Sequence, residues 1–127
     1  MDRHRPIVGI GIDLVSVGRL KRLIQNNGPD FLKMIYTDHE INYCENRKNT
    51  YELYAAMFAA KEAVVKALGT GFIGEIRCTD VEVHLENGVF LDTKGAVQKS
   101  MREKKIEDVR FSYSTTHEFS MATVIFL

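Results

Sequence analysis

Between Thr50 and Gly74 the chain reads T-Y-E-L-Y-A-A-M-F-A-A-K-E-A-V-V-K-A-L-G-T-G-F-I-G. Tyr54, Phe58, Val65 and Leu68 recur at core spacing, as do Leu53, Met57 and Val64. That is the repeat of a long helix with a buried face. Thr50 offers a hydroxyl to cap its start, Glu52 puts negative charge in the first turn, and Gly69 stands where a left-handed residue ends a helix. The remaining line carries Ala55, Ala59, Glu62 and Lys66. Its two small residues predict open space beside the helix, above a carboxylate and an ammonium one turn apart.

Period-two alternation predicts the strands. In residues 7–15 (I-V-G-I-G-I-D-L-V), Val8, Ile10, Ile12 and Leu14 face one way and Gly9, Gly11 and Asp13 the other. The glycine side is nearly bare backbone, so another group can approach it closely. Residues 79–86 alternate with Val81, Val83 and Leu85 inward, and Asn87-Gly88 predicts a type I′ hairpin into Val89-Phe90-Leu91. Two closing strands are expected over 109–116 and 119–126, around His117-Glu118. Helices are expected from Ser16 to about Asn26, over 30–35, from the capping box Thr37/Glu40 to about Glu45, and over 93–105. Helices mixed with hairpins define an α+β class rather than a doubly wound sheet.

Composition changes this picture little. The chain has 127 residues, 45% hydrophobic and 27% charged, as expected of one soluble globular domain. Lys+Arg and Asp+Glu balance at 17 each, so bulk charge points to neither nucleic acid nor membrane. A charged partner would have to meet a local patch. Cys44 and Cys78 form no C-x-x-C pair, which predicts neither a disulfide framework nor a zinc site. With no signal-peptide pattern and no run long enough to span a bilayer, the cytoplasm is the expected location.

Each candidate site has an ordinary reading. Glu62 and Lys66 at i, i+4 could be a surface pair of roughly 0.2–0.5 kcal/mol. Asp13, at a strand end, could be a turn acceptor or a ligand for a hard cation. Arg19, Lys21 and Arg22 could be a solvated face or the local basic patch. His39 and His84 read as exposed.

Three stretches together narrow the choice. G-I-D-L-V at 11–15, F-A-A-K-E-A-V-V-K-A-L-G-T-G at 58–71 and S-T-T-H at 114–117 resemble the signatures of the holo-acyl-carrier-protein synthases, the small bacterial type of phosphopantetheinyl transferase. The similarity runs in order over nearly the whole chain. It implies one phosphopantetheinyl transferase domain over 1–127, a long central helix packed on a small antiparallel sheet. The implied reaction moves phosphopantetheine from coenzyme A to a serine of acyl carrier protein, releases adenosine bisphosphate and requires Mg2+.

By the same resemblance Asp13 and Glu62 bind the metal, Lys66 contacts a coenzyme A phosphate, and His117 lies in the coenzyme A pocket. A homotrimer with active sites between subunits is implied as well. The backbone of Gly69, Thr70 and Gly71 could cradle a phosphate, although a helix C-terminus is the poorer end for an anion. Glu62, a water on the metal or His117 could take the serine proton. Arg19, Lys21 and Arg22 are the expected landing site for the acidic carrier, with Arg47 and Lys48 the second choice. Met57 replaces an Arg common in the family, and Gly88-Val89-Phe90 replaces a Gly-x-Pro. The competing readings are a non-catalytic relative that binds coenzyme A or carrier, and a transferase serving a polyketide or peptide-synthetase carrier.

Overall fold

The computed structural model describes residues 5–127. Its elements are β1 (Gly9–Ser16), α1 (Val17–Ile35), α2 (Asp38–Glu45), α3 (Thr50–Leu68), β2 (Val81–His84), β3 (Phe90–Thr93), α4 (Gly95–Glu103), β4 (Val109–Thr115) and β5 (Phe119–Phe126). One antiparallel sheet has the order β1-β5-β4, and β2 and β3 form a separate ribbon. The α+β class follows, with α3 at the centre.

The sheet hides one face only. Pairing aligns Gly9 with Phe126, Gly11 with Val124, and Asp13 with Ala122, and this row of the sheet lies against α3. A Cβ at Gly11 would stand 1.8 Å from the Ala63 carbonyl oxygen, and one at Gly9 would stand 2.4 Å from that of Ala67. The group admitted by the bare glycine face is therefore the backbone of α3. The opposite face turns apolar side chains outward: Ile10, Ile12 and Leu14 are 57%, 53% and 61% exposed, beside Met121.

Ala55 and Ala59 are wholly buried, so the small-residue line marks close packing and not open space. Thr50 is the first helical residue rather than the cap; Asn49 occupies the cap position, and the Thr50 hydroxyl donates to the Arg47 carbonyl at 2.5 Å. Gly69 ends α3 in the left-handed region, at φ 77°. The two helices expected over 16–35 are joined end to end, with a break at Gly28 (φ 77°, ψ −168°). The capping box at Thr37 and Glu40 is formed. The ribbon strands are shorter than the alternation suggests. A 3-10 turn occupies Cys78–Asp80, and β2 stops at His84, so the connection spans 85–89 with Asn87 and Gly88 at positive φ.

A buried ion pair ties the ribbon to the core. Lys61 and Glu40 are both fully buried and meet at 2.9 Å. Lys61 also donates to the carbonyls of Cys78 and Val81, while Glu40 accepts from the backbone N–H groups of Thr37 and Val83. Both charges are thereby satisfied, as burial of an ion pair requires. Burial depresses the Lys61 pKa, and Glu40 opposes that shift.

Candidate active site

β1 starts beside the last turn of α3 and runs back along the helix, and this places two carboxylates on one groove. Asp13 ends the glycine row and Glu62 follows the buried Lys61. Both line an open groove of about 490 Å3 together with Arg19, Leu20, Leu23 and Phe58. The Glu62 pKa is raised, first by desolvation and then by the nearby Asp13, with Lys66 acting in the opposite direction. Two hard oxygen donors held near each other at such a cost suit a hard cation with several open positions. The donor set fits Mg2+.

Lys66 does not act as the simple helical partner of Glu62. Its Nζ lies 2.6 Å from Asp13 Oδ1 and donates to the Ile12 carbonyl at 3.1 Å. The side chain is 51% exposed, so this contact is free to exchange for another anion.

The structure brings Asp13, Glu62, Lys66 and Arg19 to one place; His117 stands elsewhere. Its Nδ1 lies 2.8 Å from Glu52 Oε1, and its side chain is 99% exposed. Glu52 and Glu62 are ten residues apart on α3, roughly 15 Å along the axis. His117 lines a second concavity with Lys21, Lys48, Asn49 and Tyr51. The Lys21 ammonium sits 5.2 Å from the Tyr51 ring centroid, so the basic side chains of α1 serve two hollows. Arg22 is exposed.

The glycine-rich turn has other work. The N–H groups of Gly69, Thr70 and Gly71 all donate to the Val65 carbonyl, at 3.0, 3.2 and 3.5 Å. They close the end of α3, so these three backbone donors are already committed and not turned to a phosphate. The Thr70 hydroxyl oxygen is buried and unpartnered in the same turn.

Met57 is fully buried, with the Cys44 thiol 3.7 Å from its sulfur. Position 57 thus faces the core and does not line the Asp13–Glu62 groove. Two features escaped the sequence reading. Lys61 occupies the core line of Leu53, Met57, Val64 and Leu68, and a charge at such a position signals a buried counter-charge. His84 is not exposed: its side chain retains 15% of its surface, between Glu82 and Asp92.

This fold has known counterparts. The family model of the 4′-phosphopantetheinyl transferase superfamily matches residues 9–124, which makes the class a group-transfer enzyme. A holo-[acyl-carrier-protein] synthase of Halothermothrix orenii is 43% identical over 121 residues, spanning 94% of this chain and 96% of the relative. The crystal structure of holo-[acyl-carrier-protein] synthase from Neisseria meningitidis superposes with a TM-score of 0.87 at 30% identity, over 96% of this chain and 99% of that one. A holo-(acyl-carrier-protein) synthase from Bacillus anthracis, in complex with CoA (3′,5′-ADP), gives 0.77 at 32% identity, over 94% and 96%. The chain belongs to the 4′-phosphopantetheinyl transferase superfamily, in its holo-[acyl-carrier-protein] synthase group.

Proposed function

We propose that this enzyme transfers 4′-phosphopantetheine from coenzyme A to the serine hydroxyl of an apo acyl carrier protein, with Mg2+ held by Asp13 and Glu62. The observation that carries this reading is the convergence of Asp13 and Glu62 on one groove, with Lys66 docked on Asp13. Support comes from the relative of Bacillus anthracis, whose structure is a complex with CoA (3′,5′-ADP).

In the transfer, the serine oxygen bonds to the phosphorus that bears pantetheine. The bond from that phosphorus to the bridging oxygen breaks, adenosine 3′,5′-bisphosphate leaves with that oxygen, and the serine proton passes to a water or a carboxylate in the groove. Bound Mg2+ supplies charge neutralisation on the phosphate oxygens. Lys66, released from Asp13, offers a movable point charge for a phosphate oxygen. Leu20, Leu23 and Phe58 give the groove an apolar wall for the pantetheine arm, and Arg19 stands at its rim toward the acidic carrier.

The site is completed by a neighbour in this reading. His117 lies too far from Glu62 to serve the same groove, and the outward apolar face of β1 is left exposed by the described residues. A homotrimer that buries this face and lends His117 to an adjacent groove accounts for both.

Incubation with coenzyme A, Mg2+ and apo carrier should add the mass of phosphopantetheine to the carrier, and withholding Mg2+ should prevent it. An unchanged carrier mass, with coenzyme A still bound, would leave a binding protein in place of a transferase.

A further inference from the structure

The ribbon carries a second cluster of ligating groups, away from Asp13 and Glu62. His84 Nε2 lies 3.0 Å from Glu82 Oε1 and 3.1 Å from Asp92 Oδ2. The three donor atoms lie within 4.8 Å of one another, the one such group among the described residues. Glu82 and Asp92 are direct cross-strand partners, an arrangement that repels unless positive charge sits between them.

The cluster is held in shape from outside. Phe90 stacks on the His84 ring at 4.3 Å with the planes 1° apart, and His39 closes toward it at 4.8 Å. The Thr37 hydroxyl donates to the other oxygen of Glu82 at 2.6 Å, the kind of outer contact that orients a ligating carboxylate. Asp92, with its side chain 64% exposed, can adjust.

We infer that Glu82, His84 and Asp92 form a binding site for a divalent transition cation of the zinc type. One imidazole and two carboxylates suit such a cation better than Mg2+, which prefers oxygen alone. The edge of a tetrahedron with bonds of 2.0–2.1 Å is roughly 3.3 Å, close to the 3.0 and 3.1 Å from His84 to its two carboxylates. Water completes the fourth position. The metal joins β2 to β3, and through Glu82 it secures the Thr37 end of α2. It clamps a ribbon of four-residue strands, which are marginal by themselves. This site is independent of the transfer reaction.

The test is equilibrium dialysis against zinc with Mg2+ in excess, so that Asp13 and Glu62 are already served. One zinc per chain should be retained, and the melting temperature should rise by several degrees. His84→Gln and Asp92→Asn should each lower zinc affinity about tenfold or more, with magnesium-supported turnover unchanged. Asp92 is exposed, so its variant keeps the test readable even if His84→Gln disturbs the ribbon. Zinc retained equally by both variants would overturn the inference. So would absence of retention by the unmodified chain, which would leave His84 as a polar bridge between two carboxylates.

Discussion

Lys66 Nζ docks on Asp13 Oδ1 at 2.6 Å, joining the last turn of α3 to the middle of β1. An ammonium thus rests on one of the two carboxylates that the proposed metal needs. On the proposed reading, metal entry and phosphate binding by Lys66 would be coupled, since the first would displace the contact that holds Lys66 away from the second.

Lys66→Ala tests that coupling. The pair is half-exposed, so its loss should cost no more than about 1 kcal/mol of stability. The Mg2+ concentration for half-maximal rate should fall, because Asp13 loses its competitor, while KM for coenzyme A rises about tenfold or more. Unchanged values of both would reduce the contact to a surface ion pair.

Glu62→Gln should lower transfer about 100-fold or more and, without metal, stabilise the fold near neutral pH. The sign follows from linkage. The native pKa of Glu62 is raised by burial and by Asp13, so the stability it contributes is present below its unfolded pKa and lost as pH rises through the native one. Melting curves of both proteins without Mg2+ should therefore diverge above the ordinary glutamate range. Added Mg2+ should close the gap by stabilising only the unmodified chain.

Charge reversal at Arg19 and Arg22 should raise KM for the carrier steeply and spare coenzyme A binding. Charge complementarity of this kind governs encounter and weakens with salt. Raising ionic strength should harm the native enzyme more than the doubly reversed variant. Indifference of carrier KM to both would move the docking site away from α1.

The proposed assembly can be tested from the sheet. Ile12→Glu with Leu14→Glu places charge on side chains that are 53% and 61% exposed in the single chain, so the monomer fold should survive, as circular dichroism would show. Light scattering should then report monomers, and turnover should fall at least tenfold. Full turnover by a monomer would place the whole active site within one chain.

Gly11→Ala should destabilise by about 3 kcal/mol or more, since the new methyl would meet the Ala63 carbonyl oxygen at 1.8 Å. Gly18→Ala, where the nearest heavy atom is 3.6 Å away, is the control and should be neutral or slightly stabilising. Equal stability of the two variants would contradict the close backbone contact.

Local signals carried much of this architecture. Alternation located β5 over Phe119–Phe126, and the spacing of Thr37 and Glu40 located the start of α2. That Asp13 stands on a strand and Glu62 on a helix was legible from the local pattern, although Asp13 lies inside β1 and not at its end. The partners were not legible. Lys66 reaches Asp13, Lys61 reaches Glu40, and His117 reaches Glu52, each across a long stretch of chain. Such pairings depend on tertiary placement, which periodicity along one segment does not encode. The apolar side of β1 misleads for a related reason: hydrophobicity marks a face to be covered without saying whether the chain itself covers it.

The contact of Gly11 with Ala63 also sets the order in which the enzyme tolerates change. Helix and strand there are spaced by main-chain atoms, with no side chain between them to shrink, swell or change rotamer. Mutations that loosen the rest of the core therefore spend thermal margin while Asp13 and Glu62 keep their separation. A drifting lineage, or a directed-evolution library, should yield many variants that melt early yet turn over normally below their melting point, and very few that are robust but slow because the two carboxylates have moved apart.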